Sequence, residues 1–125
     1  MKQAVRIAGV FLGVISAAGA DAGEAALVVF EKPGCGWCEA WERDVGRVYD
    51  RTDEGRLLPL RRVDLGQPLP EEYRSLKAIA FTPTFVVTRC GAEAGRITGY
   101  PGEAHFYALL NEIIVELKLG EAKAC

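Results

Sequence analysis

The chain has 125 residues, enough for one domain with a modest core. Half of them are hydrophobic, 26% are charged and the formal net charge is −2. That composition excludes a disordered polyelectrolyte, and without a basic excess no nucleic-acid partner is expected.

The first segment differs from the rest. Lys2 and Arg6 are basic, and Ile7 to Ala20 is small or apolar apart from Ser16. A bilayer span takes about 20 such residues, so this stretch is short for one. It ends in Ala18-Gly19-Ala20, with Ala20-Asp21-Ala22 as a second small-residue pattern. A basic start, a short apolar middle and a small-residue end describe a secretory signal peptide, here over residues 1–22. The competing readings are a buried first helix and an uncleaved anchor. No cysteine lies near the cleavage point, which argues against a lipoprotein anchor. The expectation is an exported chain, in the periplasm, with a folded domain over 23–125.

Ala25 to Glu31 is rich in β-branched and aromatic residues and predicts a buried strand, broken by Pro33-Gly34. Cys35-Gly36-Trp37-Cys38 follows and opens a helix to about Tyr49. Cys38, Trp41, Val45 and Val48 or Tyr49 are spaced to share its inner face. Asp53-Glu54-Gly55 predicts a turn and Leu60 to Leu65 a second strand. Pro68 to Pro70 predicts the start of a short helix to about Lys77.

Thr84 to Thr88 is a third strand, Gly91 to Gly95 a hairpin turn and Arg96 to Thr98 the return strand. Phe106, Leu109, Leu110, Ile113, Ile114 and Leu117 form the stripe of a last helix, ended by Gly120. The order is β-α-β-α-β-β-α. It implies an α/β fold with a mixed four-stranded sheet flanked by helices, the first two strands being parallel.

Cys35 and Cys38 carry the candidate chemistry. A cysteine where a strand enters a helix meets unpaired backbone N–H groups and the positive end of the helix dipole, which favour its thiolate. Lys32 adds positive potential. Cys35 is therefore the candidate nucleophile toward a substrate disulfide. Cys38, nearly one turn on and on the apolar stripe, is the candidate resolving thiol. A purely stabilising disulfide is the weaker alternative, since so short a loop removes little unfolded-state entropy. A metal site is weak too. There is no second CxxC, and the one histidine, His105, reads as a first-turn helix residue. No cofactor and no metal are expected.

The strand, Cys35-Gly36-Trp37-Cys38, the helix, and Thr82-Pro83 ahead of a later strand resemble the thioredoxin superfamily, over about residues 25–119. That resemblance implies a minimal thioredoxin fold and protein dithiol–disulfide oxidoreductase activity. It also implies a cis Pro83 lying against the cysteines. There Pro83 keeps an N–H away from the sulfurs, and Thr82 leaves its backbone free to pair with an extended substrate. Gly36, Trp37, Thr82 and Pro83 are thus the expected support of the site. The alternative for Pro83 is a proline that simply starts an edge strand.

More narrowly, three segments resemble the small periplasmic thioredoxins of bacterial sulfur oxidation, the SoxS type. They are Pro33-Gly34-Cys35-x-x-Cys38, Thr82-Pro83-Thr84-Phe85 and Gly95-Arg96-Ile97-x-Gly99-Tyr100-Pro101-Gly102. This implies reduction of a carrier protein's cysteine, with electrons drawn from a membrane thiol transporter. Two departures stand out. The extra N-terminal β-α unit of thioredoxin has no room here. The buried acid that thioredoxin carries six residues before its first cysteine is Val29 in this chain. The proton acceptor for Cys38 is then water, or Glu31 two residues on, whose plainer reading is a solvated strand end.

Gly36-Trp37 also resembles the glycine–aromatic pair of disulfide isomerases. Isomerase or oxidase activity is one alternative, and a redox-gated binding or regulatory module is another. Trp37 is read either as an exposed contact for protein substrates or as packed on a neighbouring loop. Trp41 belongs to the core. Tyr100 and Pro101 form either a structural turn or a rim of the substrate groove. Cys90 and Cys125 both map to the pole opposite the active site, as a second disulfide or as separate thiols.

Overall fold

The computed structural model describes residues 24–121 and Cys125, so the expected signal peptide lies outside the described residues. The strands are β1 (Ala26–Glu31), β2 (Leu60–Asp64), β3 (Thr84–Arg89) and β4 (Ala92–Thr98). They form one mixed sheet in the order β2-β1-β3-β4. β1 runs parallel to β2, while β1–β3 and β3–β4 are antiparallel.

The alternation of β1 divides the core. Leu27 and Val29 face one way, with Phe85, Val87 and Ile97 from the neighbouring strands. Val28, Phe30, Val63 and Val86 face the other way. The central strands are hydrophobic on consecutive residues because both faces of the sheet are covered. On the first face lie the helices α1 (Gly36–Trp41) and α3 (Glu103–Glu116). Trp41, Phe85 and Phe106 meet there with ring centroids 4.8–6.2 Å apart. All three rings are fully buried, and buried aromatic rings contribute much of the energy of a core.

The helix expected from Gly36 to Tyr49 is subdivided. α1 ends at Trp41, a π-helical turn spans Glu42–Gly46, and a 3₁₀ turn spans Tyr49–Arg51. Gly46 accounts for the tight packing of the wide turn. A Cβ on it would lie 2.7 Å from the Trp41 ring and would also meet the Glu42 carboxylate. The inner stripe continues through Tyr49, which is fully buried, rather than Val48, which is 40% exposed.

Asp53-Glu54-Gly55 is not a turn but the start of helix α2 (Asp53–Leu57). Thr52 caps it: its Oγ1 accepts the Gly55 N–H at 3.0 Å. The helix expected after Pro68 is reduced to a 3₁₀ turn at Glu71–Tyr73. Leu65, Leu69, Tyr73, Leu76 and Ile79 from this segment pack against the second face. With its apolar residues spread over 15 positions and two prolines at its start, the segment covers the sheet as an irregular strap instead of a helix.

The β3–β4 turn is tighter than expected. Arg89 pairs with Ala92, leaving only Cys90 and Gly91 between the strands, with φ of 52° and 77°. Both central residues lie in the left-handed region, the geometry of a two-residue hairpin with the natural strand twist. β4 therefore begins four residues earlier than the expected Arg96. α3 ends at Glu116 rather than near Gly120, and Lys118, at φ 52°, is its left-handed terminator. Of its expected stripe, Phe106, Leu110 and Ile114 are buried, whereas Leu109 is 37% exposed.

Candidate active site

β1 delivers the chain to Pro33-Gly34, and Gly34 takes a φ of 74°, open to glycine at little cost. The reversal places Cys35 at the N-cap of α1 with extended backbone angles. Its Sγ accepts the Cys38 backbone N–H at 3.1 Å. The sulfur therefore occupies the position that a serine or aspartate oxygen takes in an ordinary cap, where a negative charge is favoured. Cys35 and Cys38 form a disulfide with Cα atoms 5.2 Å apart. Both residues are more than nine-tenths buried.

Gly36 and Trp37 separate them. A Cβ on Gly36 would meet nothing within 4 Å, so no close approach demands glycine there. Trp37 is 67% exposed and projects from the first turn of α1. That geometry favours the contact reading over packing on a loop. Trp41 is completely buried, as expected of core.

The Thr82–Pro83 peptide is cis, as the resemblance implies. The Pro83 carbonyl accepts the Gly99 N–H at 2.8 Å, and Thr84 Oγ1 donates to the Phe81 carbonyl at 2.7 Å. These bonds fix the segment before β3 at the end of the sheet where β1 terminates, since Phe30 pairs with Thr84. Phe81 is 67% exposed at this end, a residue the sequence reading passed over. Its signal was a large apolar side chain immediately before Thr-Pro, outside any strand.

Tyr100 serves structure rather than a groove rim. It is buried against Phe106, and its hydroxyl donates to Asp44 Oδ2 at 3.0 Å, joining the β4–α3 connection to the π turn. Burial, then that hydrogen bond and the Asp44 charge, push its phenol up to about 12. His105 lies in the first turn of α3 and is exposed.

Glu31 is not a solvated strand end. Its side chain is 23% exposed, and Arg62 Nη1 lies 3.4 Å from its Oε2. Burial raises its carboxyl above the usual range. Arg62 lowers it in part, and Glu42 and Asp64 raise it further. Arg62 Nη2 also contacts Glu42 Oε2 at 2.7 Å, as an ion pair off the line of a hydrogen bond. The guanidinium sits 5.4 Å from the Trp41 ring centroid. The sequence reading missed Arg62 and Glu42. In β2, Arg62 falls on the face of Leu60, which brings its stem to the core edge.

At the opposite end of the sheet Cys90 and Cys125 are joined, with Cα atoms 5.6 Å apart. Of the two readings open for this pair, the structure takes the second disulfide.

Residues 15–114 match the model of a thioredoxin-like domain family. The reduced periplasmic thioredoxin SoxS from Paracoccus pantotrophus is 39% identical, with a TM-score of 0.70 over 75% of this chain and 99% of that one. A thioredoxin from Thermus thermophilus is 25% identical, with a TM-score of 0.51 over 74% of this chain and 75% of that one. A thioredoxin-fold protein from Helicobacter pylori, 21% identical with a TM-score of 0.56 over 80% and 74% of the two chains, shares the fold. No curated protein sequence matches this chain. With the Cys35–Cys38 pair at a strand–helix junction and a cis proline ahead of β3, the chain belongs to the thioredoxin-like family.

Proposed function

We propose that this chain is a periplasmic thiol–disulfide oxidoreductase that reduces disulfides of protein partners. A sulfur-oxidation carrier protein is the proposed substrate, and a membrane thiol-electron transporter is the proposed donor. The observation that carries the chemistry is Cys35 Sγ at the N-cap of α1, accepting the Cys38 amide. In the reduced protein the same amide and the helix dipole stabilise the Cys35 thiolate. The 39% identity to a periplasmic thioredoxin, over nearly all of that chain, supports the compartment, and the sulfur-oxidation setting follows from the resemblance to the SoxS type.

The reaction has two displacements. Cys35 thiolate attacks one sulfur of the substrate disulfide, forming a mixed disulfide and expelling the first substrate thiolate. Cys38 then attacks Cys35 Sγ, closing the Cys35–Cys38 disulfide and expelling the second substrate thiolate. Two electrons pass to the substrate, and the donor restores the dithiol. Gly36 and Trp37 present the pair. Exposed Trp37 and Phe81 offer apolar contact, and Thr82 beside cis Pro83 offers backbone to an extended substrate segment.

Equilibration of the mature protein with glutathione or dithiothreitol buffers tests the direction. A potential near or below thioredoxin's, about −270 mV, is expected of a reductase. A value near about −120 mV would replace this reading with an oxidase or isomerase. A Cys38→Ala variant is expected to trap its substrate as a mixed disulfide. A regulatory module would show neither turnover nor a trapped partner.

A further inference from the structure

The strap that covers the second face of the sheet ends in the segment carrying Phe81 and Thr82. Among the described residues no backbone–backbone hydrogen bond fastens residues 77–80. Their polar anchor is a side chain from β4. Arg96 Nη2 donates to the Lys77 carbonyl at 2.9 Å, and Nη1 donates to the Ala78 carbonyl at 3.0 Å. The same guanidinium is held from behind by Glu93. Its Nε donates to Glu93 Oε2 at 3.1 Å and its Nη2 to Oε1 at 2.6 Å. A planar fork suits this work, because it meets a carboxylate and two successive carbonyls at once.

An irregularity in the sheet makes the arrangement possible. Residues three apart on a regular strand point to opposite faces. Here Thr88 pairs with Glu93 and Val87 with Gly95, so Ala94 is an extra residue in β4. Arg96 pairs with Val86, which lies on the face that the strap covers. Thr88 shares that face by alternation, so the bulge brings Glu93 beside Arg96 under the strap. Both side chains are about four-fifths buried.

β4 thereby grips the segment twice. Arg96 holds the Ala78 carbonyl, and the Gly99 N–H holds the Pro83 carbonyl at 2.8 Å. Ala78 to Thr82 spans at most about 14 Å of chain, so fixing both ends restricts everything between them. Ile79 packs inward on the second core cluster, while Phe81 stays 67% exposed beside Thr82. Lys77 and Ala78 are themselves exposed. Water therefore replaces a lost guanidinium at their carbonyls, and what is lost is placement of the segment more than a buried bond.

We propose that Arg96, braced by Glu93, is the positioning residue that sets the Phe81–Thr82 face for a polypeptide disulfide, and so sets the preference for protein over small disulfides. This deepens the reductase reading and rests on it. Arg96 touches no reacting atom. It acts by presenting the Phe81 ring and the Thr82 backbone in one arrangement, which lowers the ordering cost of binding an extended, apolar substrate segment.

The test uses the fully reduced protein and two probes, insulin and bis(2-hydroxyethyl) disulfide. Oxidation of Cys35–Cys38 is scored by alkylation and mass spectrometry across a range of disulfide concentrations. Arg96→Gln is expected to lower the insulin rate constant, relative to that for the small disulfide, by about five-fold, through weaker half-saturation by insulin. Amide exchange of the 77–82 segment is expected to rise at least several-fold. Arg96→Lys, which keeps the charge toward Glu93 and one donor for the strap, is expected to recover part of the ratio. In a Phe81→Ala background, Arg96→Gln is expected to lower the ratio by much less, because the two residues act as one.

An unchanged ratio would overturn the proposal, whether both rates held or both fell together; the second case would mark Arg96 as a stabilising residue alone. Independent losses from Phe81→Ala and Arg96→Gln would overturn it too. Failure of both disulfides to oxidise the unmodified protein would instead remove the reductase reading, and this proposal with it.

Discussion

The two disulfides sit at opposite ends of β3 and differ in almost every respect but the bond. Cys35 and Cys38 are separated by three positions, lie more than nine-tenths buried and meet the amide end of α1. Cys90 and Cys125 are separated by 35 positions, lie exposed, and tie the β3–β4 turn to the tail beyond α3. Beside them Arg89 Nη1 donates to the Leu117 carbonyl at 2.9 Å, so the far pole meets the carbonyl end of a helix. The helix dipole favours a thiolate at the first pole and opposes one at the second. Loop closure works the other way round. Joining residues 35 apart removes much unfolded-chain freedom, and joining residues three apart removes little. One pole is built for exchange and the other for anchorage.

Serine substitutions test that division most sharply. Cys35→Ser is expected to lower disulfide-exchange turnover by on the order of 10³-fold or more, since it removes the attacking sulfur. The Cys90→Ser/Cys125→Ser pair is expected to leave turnover within about two-fold while costing about 2–4 kcal/mol of stability. Reductase turnover and urea unfolding of the oxidised proteins measure the two effects. If the far-pole variant lost activity in its folded state, the separation of roles would be wrong.

Alkylation compares the poles by the reactivity of their thiols. In the fully reduced protein, Cys35 is expected to react with iodoacetamide at a pH well below the ordinary thiol value of about 8.5, and Cys90 near or above it. Mass spectrometry of partly labelled protein resolves the sites. Equal pH midpoints would mean that the Cys38 amide gives Cys35 no special stabilisation.

The same contrast governed what the sequence disclosed. The CxxC pair, the strands and the last helix are carried by local signals: β-branched runs in β1 and β3, and a strong stripe in α3. The left-handed hairpin turn was hidden because its first residue is Cys90, where asparagine or aspartate would ordinarily advertise it. Placing both Cys90 and Cys125 at the far pole required only strand and helix directions, which is why that geometry was within reach of sequence. Glu42 and Arg62 were not. Their meeting depends on the π turn after Trp41 and on the β1–β2 register, and neither leaves a periodic trace. The strap before β3 was misread as a helix because prolines at Pro68 and Pro70 mark a helix start and an irregular chain equally well.

Trp37 sharpens the substrate side of the active pole. Its indole is exposed and makes no ring stack among the described residues' aromatic pairs. Trp37→Ala is therefore expected to leave the reduction potential and stability nearly unchanged. It should weaken a protein substrate by about 1 kcal/mol, or roughly five-fold in KM. A small disulfide that makes no apolar contact should lose little. Equal losses for both substrates would place the effect on the cysteines and not on recognition.

The smallest expected effect compares the hydrogen bonds that secure each pole. Tyr100 donates to Asp44 at the active end, and Arg89 donates to Leu117 at the far end. Tyr100→Phe removes the hydroxyl and is expected to cost about 1 kcal/mol near pH 7, without the larger loss of an emptied core. The two contacts differ in their response to base. The Tyr100 phenol ordinarily titrates near 10 and is held up to about 12 in the fold. Its contribution is thus complete below pH 10 and is lost as pH rises toward 12, because the unfolded chain releases that proton first. Arginine guanidinium groups in general stay charged throughout this range. Urea unfolding at pH 8 and pH 11 should show the unmodified protein and Tyr100→Phe converging at the higher pH. An Arg89→Gln variant should keep a nearly constant deficit. A Tyr100→Phe deficit that held constant to pH 11 would show that the phenol's hydrogen bond to Asp44 is not what ties the β4–α3 connection to the π turn.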